Sequence, residues 1–197
     1  MNNPDEDTAI AQFGDGDKYF GVCVLLATLP GLPMLGHGQI EGFTEKYGME
    51  FAKARHSEEP KAWMVARHER EIFPLLRRRW MFADVERFRL YDAVLESGAV
   101  CEDVIAYSNG AGGASALVAY HNRYAEADVR IKDSVAFRTA GGDLARAGGP
   151  AAGRPMLGVM PRADLAAFGC LLVAPADRGQ CCSLRYLGLQ HEYAAIE

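Results

Sequence analysis

The sequence predicts an α/β region followed by an all-β region, on three observations. An apolar helix runs into a short apolar strand and a glycine-rich loop, which is half of a βα repeat. A second, amphipathic helix follows a long polar excursion. Past Met81 the hydrophobic period changes from about 3.6 to 2 and several short segments keep it. A chain of 197 residues has room for one ordinary domain or two small ones.

The first helix is expected over residues 16–29. Tyr19, Phe20, Val22, Cys23, Val24, Leu25 and Leu26 leave it no polar face, and a helix apolar all round is normally buried on several sides. Pro30 and Gly31 end it, the one unable to continue the ladder, the other permitting a sharp turn. Leu32-Pro33-Met34-Leu35 then reads as a short buried strand that opens into Gly36-His37-Gly38-Gln39. Residues 39–59 are mixed and polar, with Phe43, Tyr47 and Phe51 among glycines. Long ordered loops of this kind are usually functional.

Ser57 is the expected N-cap of the second helix, with Glu58 and Glu59 in the favourable first turn and Pro60 tolerated there. Over residues 61–79, Met64, His68, Ile72, Leu75 and Leu76 form one apolar stripe. Arg67 and Glu71 have the spacing of a surface pair, and Pro74 should bend the last turns. The Arg77-Arg78-Arg79 run suits the negative end of a helix.

Strands are expected at 88–91, 100–108, 116–121 and 129–137, with a hairpin turn at Asn109-Gly110-Ala111-Gly112-Gly113. The division is then 1–82, 83–138 and 139–197. The last stretch is rich in Ala, Gly, Arg and Pro and has little periodicity. It reads either as remaining strands, with 165–173 and 183–195 as buried elements, or as disordered tail.

A net charge of −5 argues against a nucleic-acid partner, because no basic excess exists to neutralise phosphates. The apolar stretch 22–29 is too short to cross a bilayer, so no membrane partner is expected. The acidic, polar start has neither the basic nor the apolar part of a signal peptide. Five cysteines lack metal-ligand spacing. Reduced thiols in a cytoplasmic protein, with no metal and no cofactor, are the expectation. The opening acidic turn leads at once into apolar sequence, as in a chain that enters in mid-fold.

Two stretches together resemble the alpha-amylase family of glycoside hydrolases. Asn3-Pro4-Asp5-Glu6, followed by Phe13-Gly14, is similar to the segment at the end of barrel strand seven, usually Asn-His-Asp. Thr28-Leu29-Pro30-Gly31-Leu32-Pro33, then Gly38, is similar to the Gly-x-Pro-x-x-x-x-Gly pattern along strand eight. The separation fits one intervening helix, and a β domain follows as in the family. The resemblance covers residues 1–137. It implies the last two βα units of a (β/α)8 barrel plus an antiparallel β-sandwich, incomplete, and a retaining enzyme acting on alpha-glucans or oligosaccharides. Pro4 replaces the usual histidine, as in the family's maltosyltransferases. Gln39 stands where an acid is usual, with Glu41 displaced.

Retaining glycosidases need two carboxyl groups about 5–5.5 Å apart, one to attack and one to protonate the leaving oxygen. By resemblance both would precede Met1, and Asp5 is the third carboxylate, which stabilises the cationic sugar ring. The same resemblance makes Asn3, Glu6, His37, Gln39 and Glu41 substrate contacts, and implies a chain that is inactive alone and needs the preceding strands or self-association. From the residues themselves Asp5 reads as an exposed acid, His37 as a sugar contact or a turn or packing residue, Glu41 and Glu45 as solvated acids, and Phe43 and Tyr47 as stacking residues or loop packing. His68 reads as a packing residue. A non-catalytic carbohydrate-binding or structural β module is the alternative function.

Overall fold

The structure is a computed structural model that describes residues 1–46, 53–111, 114–123, 127–147, 170–173 and 182–185. The chain divides into two compact units, Met1–Arg79 and Trp80–Glu197. The expected order holds in its coarse form: a region that bears the helices, then an all-β region.

The first unit begins with α1 (Ala9–Phe13), capped by the Thr8 hydroxyl, which accepts from the Ala11 amide, and closed at Gly14 with φ 72°. A five-residue helix gives too little periodicity to be read from sequence, and this one was not expected. Helix α2 (Asp17–Thr28) is the expected apolar helix. Tyr19, Phe20, Gly21, Cys23, Val24, Ala27 and Thr28 are buried and no residue from 18 to 28 is exposed.

The next expectation fails. Residues 32–35 form no strand, Leu32 is 93% exposed and Met34 58%. Pro33 offers no N–H to a ladder, and no strand among the described residues of this unit lies beside the segment. Neither expected barrel strand is present among the described residues, and no sheet is closed.

Helix α3 (Ala62–Arg67) starts behind Lys61, which makes no side-chain cap bond, so Ser57 is not the N-cap. A π-helical turn, His68–Ile72, connects it to α4 (Phe73–Arg77), in which Pro74 sits in the first turn. Pro74 has no N–H for the carbonyl of Arg70. The ladder adjusts by one residue, and the Phe73 amide donates to His68 O. The expected bend at Pro74 is thus a wide turn ahead of it. Met64, His68, Ile72 and Leu75 are buried as the stripe requires, while Leu76 is half-buried. Arg79 donates to the carbonyls of Ala27 and Gly31 and so ties the segment's end to that of α2. The last helix, α5 (Arg79–Phe82), lies at the division.

Among the described residues, the second unit holds a six-stranded antiparallel sheet of order β7-β3-β2-β1-β4-β8 and a two-stranded one, β5-β6. The strands are β1 (Arg89–Leu95), β2 (Val104–Ala111), β3 (Ala114–His121), β4 (Asp128–Ser134), β5 (Phe137–Arg138), β6 (Leu144–Ala145), β7 (Cys170–Val173) and β8 (Cys182–Arg185). Strands β1, β2 and β3 follow one another, and β4 returns beside β1, which is the Greek-key order. Asn109, Gly110 and Ala111 belong to β2, whose pairing with β3 runs to Ala111↔Ala114. The centre of the expected turn, Gly112 and Gly113, lies outside the described residues. So does most of 139–197, from which β7 and β8 add to the two sides of the sheet.

Tyr91, Ala106, Leu117 and Ile131 form one core cluster, with the Tyr91 hydroxyl bonded to Ser108 Oγ at 2.7 Å. Tyr107, Val118 and Tyr120 are buried on the alternate positions, where the Phe88 ring lies 5.5 Å from Tyr107. The central strands are therefore covered on both faces, and this explains their nearly continuous apolar runs.

Candidate functional site

The opening residues form a side-chain-closed turn. Asn3 Oδ1 accepts from the amides of Asp5 (2.9 Å) and Glu6 (2.8 Å). This is the ordinary use of an asparagine beside a proline. It directs Asp5 and Glu6 outward, and both are exposed. Lys46 Nζ donates to the Asp5 carbonyl at 2.6 Å.

Asn2 joins this turn to the glycine-rich loop. Its Nδ2 donates to His37 O at 3.0 Å, and its backbone amide donates to Gln39 Oε1 at 2.9 Å. Its Oδ1 accepts from the Ala9 amide at 2.6 Å. Gly36 permits the approach: a Cβ there would lie 2.6 Å from both Asn2 Cβ and Asn2 O. Residues 2 and 36–39, distant in sequence, are thus held side by side.

His37 is exposed, and its ring centroid lies 5.9 Å from that of Phe43. Gly38, with φ 74°, is backed by Phe43. Gln39 is wholly buried, its amide bonded to the Asn2 amide and to Met1 Sδ. That side chain holds the loop in place. Glu41 is half-buried, and its carbonyl accepts from the Lys61 amide at 2.9 Å. Asn3, Asp5, Glu6 and His37 are therefore accessible in whole or part on adjoining segments, while Gln39 lies beneath them. Tyr47 and Phe51 lie outside the described residues.

Exposed carboxylates can accept hydrogen bonds from hydroxyl groups and favour a nearby cation. Attack and protonation would require a second, separately tuned carboxyl group, and Asp5 and Glu6 are consecutive residues of one exposed turn.

The loop beyond is organised by two glutamates. Glu58 accepts from the Thr44 amide and hydroxyl and from the Glu45 amide. Glu45 accepts from the amides of Arg55 and His56. Those amides hold the Glu45 carboxyl below its usual range. Burial works upward on Glu58, but the Thr44 and Glu45 amides outweigh it and its carboxyl is also lowered. Ligand atoms of Glu45, His56 and Glu58 lie within 4.8 Å of one another, which is the spacing of a possible metal cradle. The backbone donors already account for both carboxylates.

Beneath the loop is a buried polar cluster. The Tyr19 hydroxyl lies 2.6 Å from Gln39 O and 3.1 Å from His68 Nε2. His68 Nδ1 donates to Met64 O at 2.9 Å, and Cys23 Sγ lies 3.9 Å from Nε2. Burial pushes the Tyr19 hydroxyl far up and the Cys23 thiol to about 12. The same burial pulls His68 down. All three are neutral near pH 7 and serve as bonded core groups. Cys23 and Cys101 are free thiols.

Sequence reasoning missed Asn2, Lys46 and the organising role of Glu58. Each acts through a partner more than ten residues away, and no local pattern marks such a pairing. Among the described residues no helix is long and apolar enough to cross a membrane. No protein-family model, curated protein or solved structure matches this chain.

Proposed function

We propose that residues 1–46 are the rim of an alpha-glucan site of the alpha-amylase kind, in a hydrolase or glycosyl-transferring enzyme. Asp5 is its charge-stabilising carboxylate, and Asn3, Glu6, His37 and Glu41 are its sugar contacts. The observation that carries this reading is the Asn2 bridge, which supports an arrangement of Asp5 and His37 on adjacent segments despite the absence of a paired strand at 32–35. A glycosidic transition state is positive at the sugar ring, and a fixed carboxylate favours it. Asp5 alone neither attacks nor protonates, so the chain binds without cleaving.

The test is titration of the full chain with maltoheptaose, followed by NMR. The reading requires shifts at the amides of Asp5 and His37, loss of binding in Asp5→Ala and His37→Ala, and no release of reducing ends. Unchanged spectra at millimolar sugar would overturn it. The alternative, a carbohydrate-binding β module, is favoured by the separate compactness of Trp80–Glu197. Shifts confined to β-strand residues would select it.

A further inference from the structure

We infer that Lys46 is a further sugar contact of the rim, its ammonium supplying hydrogen-bond donors beside the acidic turn. The inference rests on the alpha-glucan reading of residues 1–46 and adds a residue that this reading leaves out.

Lys46 Nζ donates to the Asp5 carbonyl at 2.6 Å, across 41 positions of sequence. That bond and the fixed backbone lengths put the ammonium within about 5 Å of the Asp5 Cα. It therefore adjoins the turn that carries Asp5, Glu6 and Asp7, three consecutive exposed acids. Attraction between exposed charges is weak by itself, so the backbone must also bring the lysine there.

That backbone is anchored. The Glu58 carboxylate accepts from the Thr44 amide at 2.8 Å, the Thr44 hydroxyl at 2.9 Å and the Glu45 amide at 2.8 Å. Glu45 in turn accepts from the amides of Arg55 at 2.8 Å and His56 at 2.9 Å. The two residues before Lys46 are thus tied to the segment that leads into α3. A long side chain on a loose loop would lose more freedom than one bond returns. Here only the side chain itself is left to order.

The chemistry of a sugar asks for such a group. Each hydroxyl both donates and accepts a hydrogen bond, whereas an ionised carboxylate only accepts. Asn3 Oδ1 is already taken by the amides of Asp5 and Glu6. An ammonium has three hydrogens, and among the described residues the Asp5 carbonyl takes one. Neighbouring hydroxyls of one ring can then donate to a carboxylate and accept from Lys46. A cation would oppose the positive ring of the transition state. Lys46 therefore acts on hydroxyls in binding, and the charge-stabilising part stays with Asp5.

The test titrates the full chain with maltoheptaose and follows the backbone amides and the Lys46 Cε signal by NMR. In the wild type the Asp5 amide and the Lys46 Cε signal should both move. Lys46→Met keeps much of the length without charge or donors, and should bind about tenfold more weakly, the worth of one charge-assisted bond. The Asn2 and Gln39 amides of the free variant should stay in place, since their mutual bond does not involve the lysine. Unchanged affinity in Lys46→Met, or a Lys46 Cε signal that stays still at saturation, overturns the contact and leaves the sugar reading standing. Weaker binding with displaced Asn2 and Gln39 amides makes Lys46 a mere tie of the turn and overturns it too. A wild-type chain that moves no signal at millimolar sugar overturns the alpha-glucan reading itself, and the role of Lys46 with it.

Discussion

Asn2 donates its side-chain amide to the carbonyl of His37 at 3.0 Å, across 35 positions of sequence. Together with the bond from its own backbone amide to Gln39, this contact makes neighbours of the acidic turn and the glycine-rich loop. The relative placement of these two segments is set here.

Asn2→Ala removes the donor to His37 O and the acceptor of the Ala9 amide, both largely buried. A cost of about 1–3 kcal/mol follows from two lost bonds and the unpaired groups left behind. Urea unfolding of the first unit reports the cost, and the Ala9 amide should exchange faster.

Gly36→Ala tests the same contact sterically. Its Cβ would meet the backbone and Cβ of Asn2 at 2.6–2.8 Å, so one segment must move. The expected outcome is a loss of about 1–3 kcal/mol with shifts at Asn2 and Gln39. Gly31→Ala provides a contrast: its Cβ meets nothing within 4 Å, although its φ of 108° strains any side chain. It should leave the Asn2 and Gln39 signals in place.

Arg67 bonds two carboxylates from different segments, Asp17 at 2.7 Å and Glu71 at 2.9 Å, and lies over the Phe20 ring at 4.0 Å. Glu71 is almost fully buried and keeps only Arg70 when Arg67 is removed. Arg67→Met should cost about 1–3 kcal/mol. Arg67→Lys should recover little, because a single ammonium does not span both acids. A double-mutant cycle with Asp17→Asn checks the coupling.

Glu45 and Glu58 have lowered carboxyl pKa values in the folded loop. A lowered acid binds fewer protons folded than unfolded, so its contribution is complete above the ordinary value near 4.5 and is lost as pH falls through the folded one. The Thr44 and His56 amides should therefore keep their bonded shifts at pH 5 and lose them in stronger acid. Glu58→Gln should remove the pH dependence at Thr44 but not at His56.

In the second unit, Asn109 Nδ2 donates to Phe82 O at 3.0 Å and Asp84 O at 2.7 Å, from a side chain only 2% exposed. Asn109→Ala should lower stability by about 1–3 kcal/mol, read as a drop in melting temperature. Asn109→Asp should be worse still, since a carboxylate faces two carbonyls.

Helix α2 and the strands β1 to β4 were legible because burial writes a period into the sequence. Tyr19 to Ala27 has no polar side to spare, and Phe88 to Tyr91 already alternates. Asn109 was misread as a turn residue, although it is a buried strand position, because its use depends on two carbonyls more than twenty residues back. Residues 32–35 were misread for the opposite reason. Their apolar character is real, but a strand also needs a neighbour to take its hydrogen bonds, and a single segment cannot show whether one is there.

The candidate site divides in the same way. Asp5 was singled out by the resemblance and His37 by its place in a glycine-rich loop, while the close approach at Gly36 appears only in the fold. The bridge of Asn2, the burial of Gln39, and the union of Tyr19, Cys23 and His68 were decided only by the tertiary structure. Local propensity and hydrophobic period are carried by neighbouring residues and survive in the linear order. Pairing of distant polar groups depends on where packed helices and loops bring them, and one sequence holds no trace of that until it is folded.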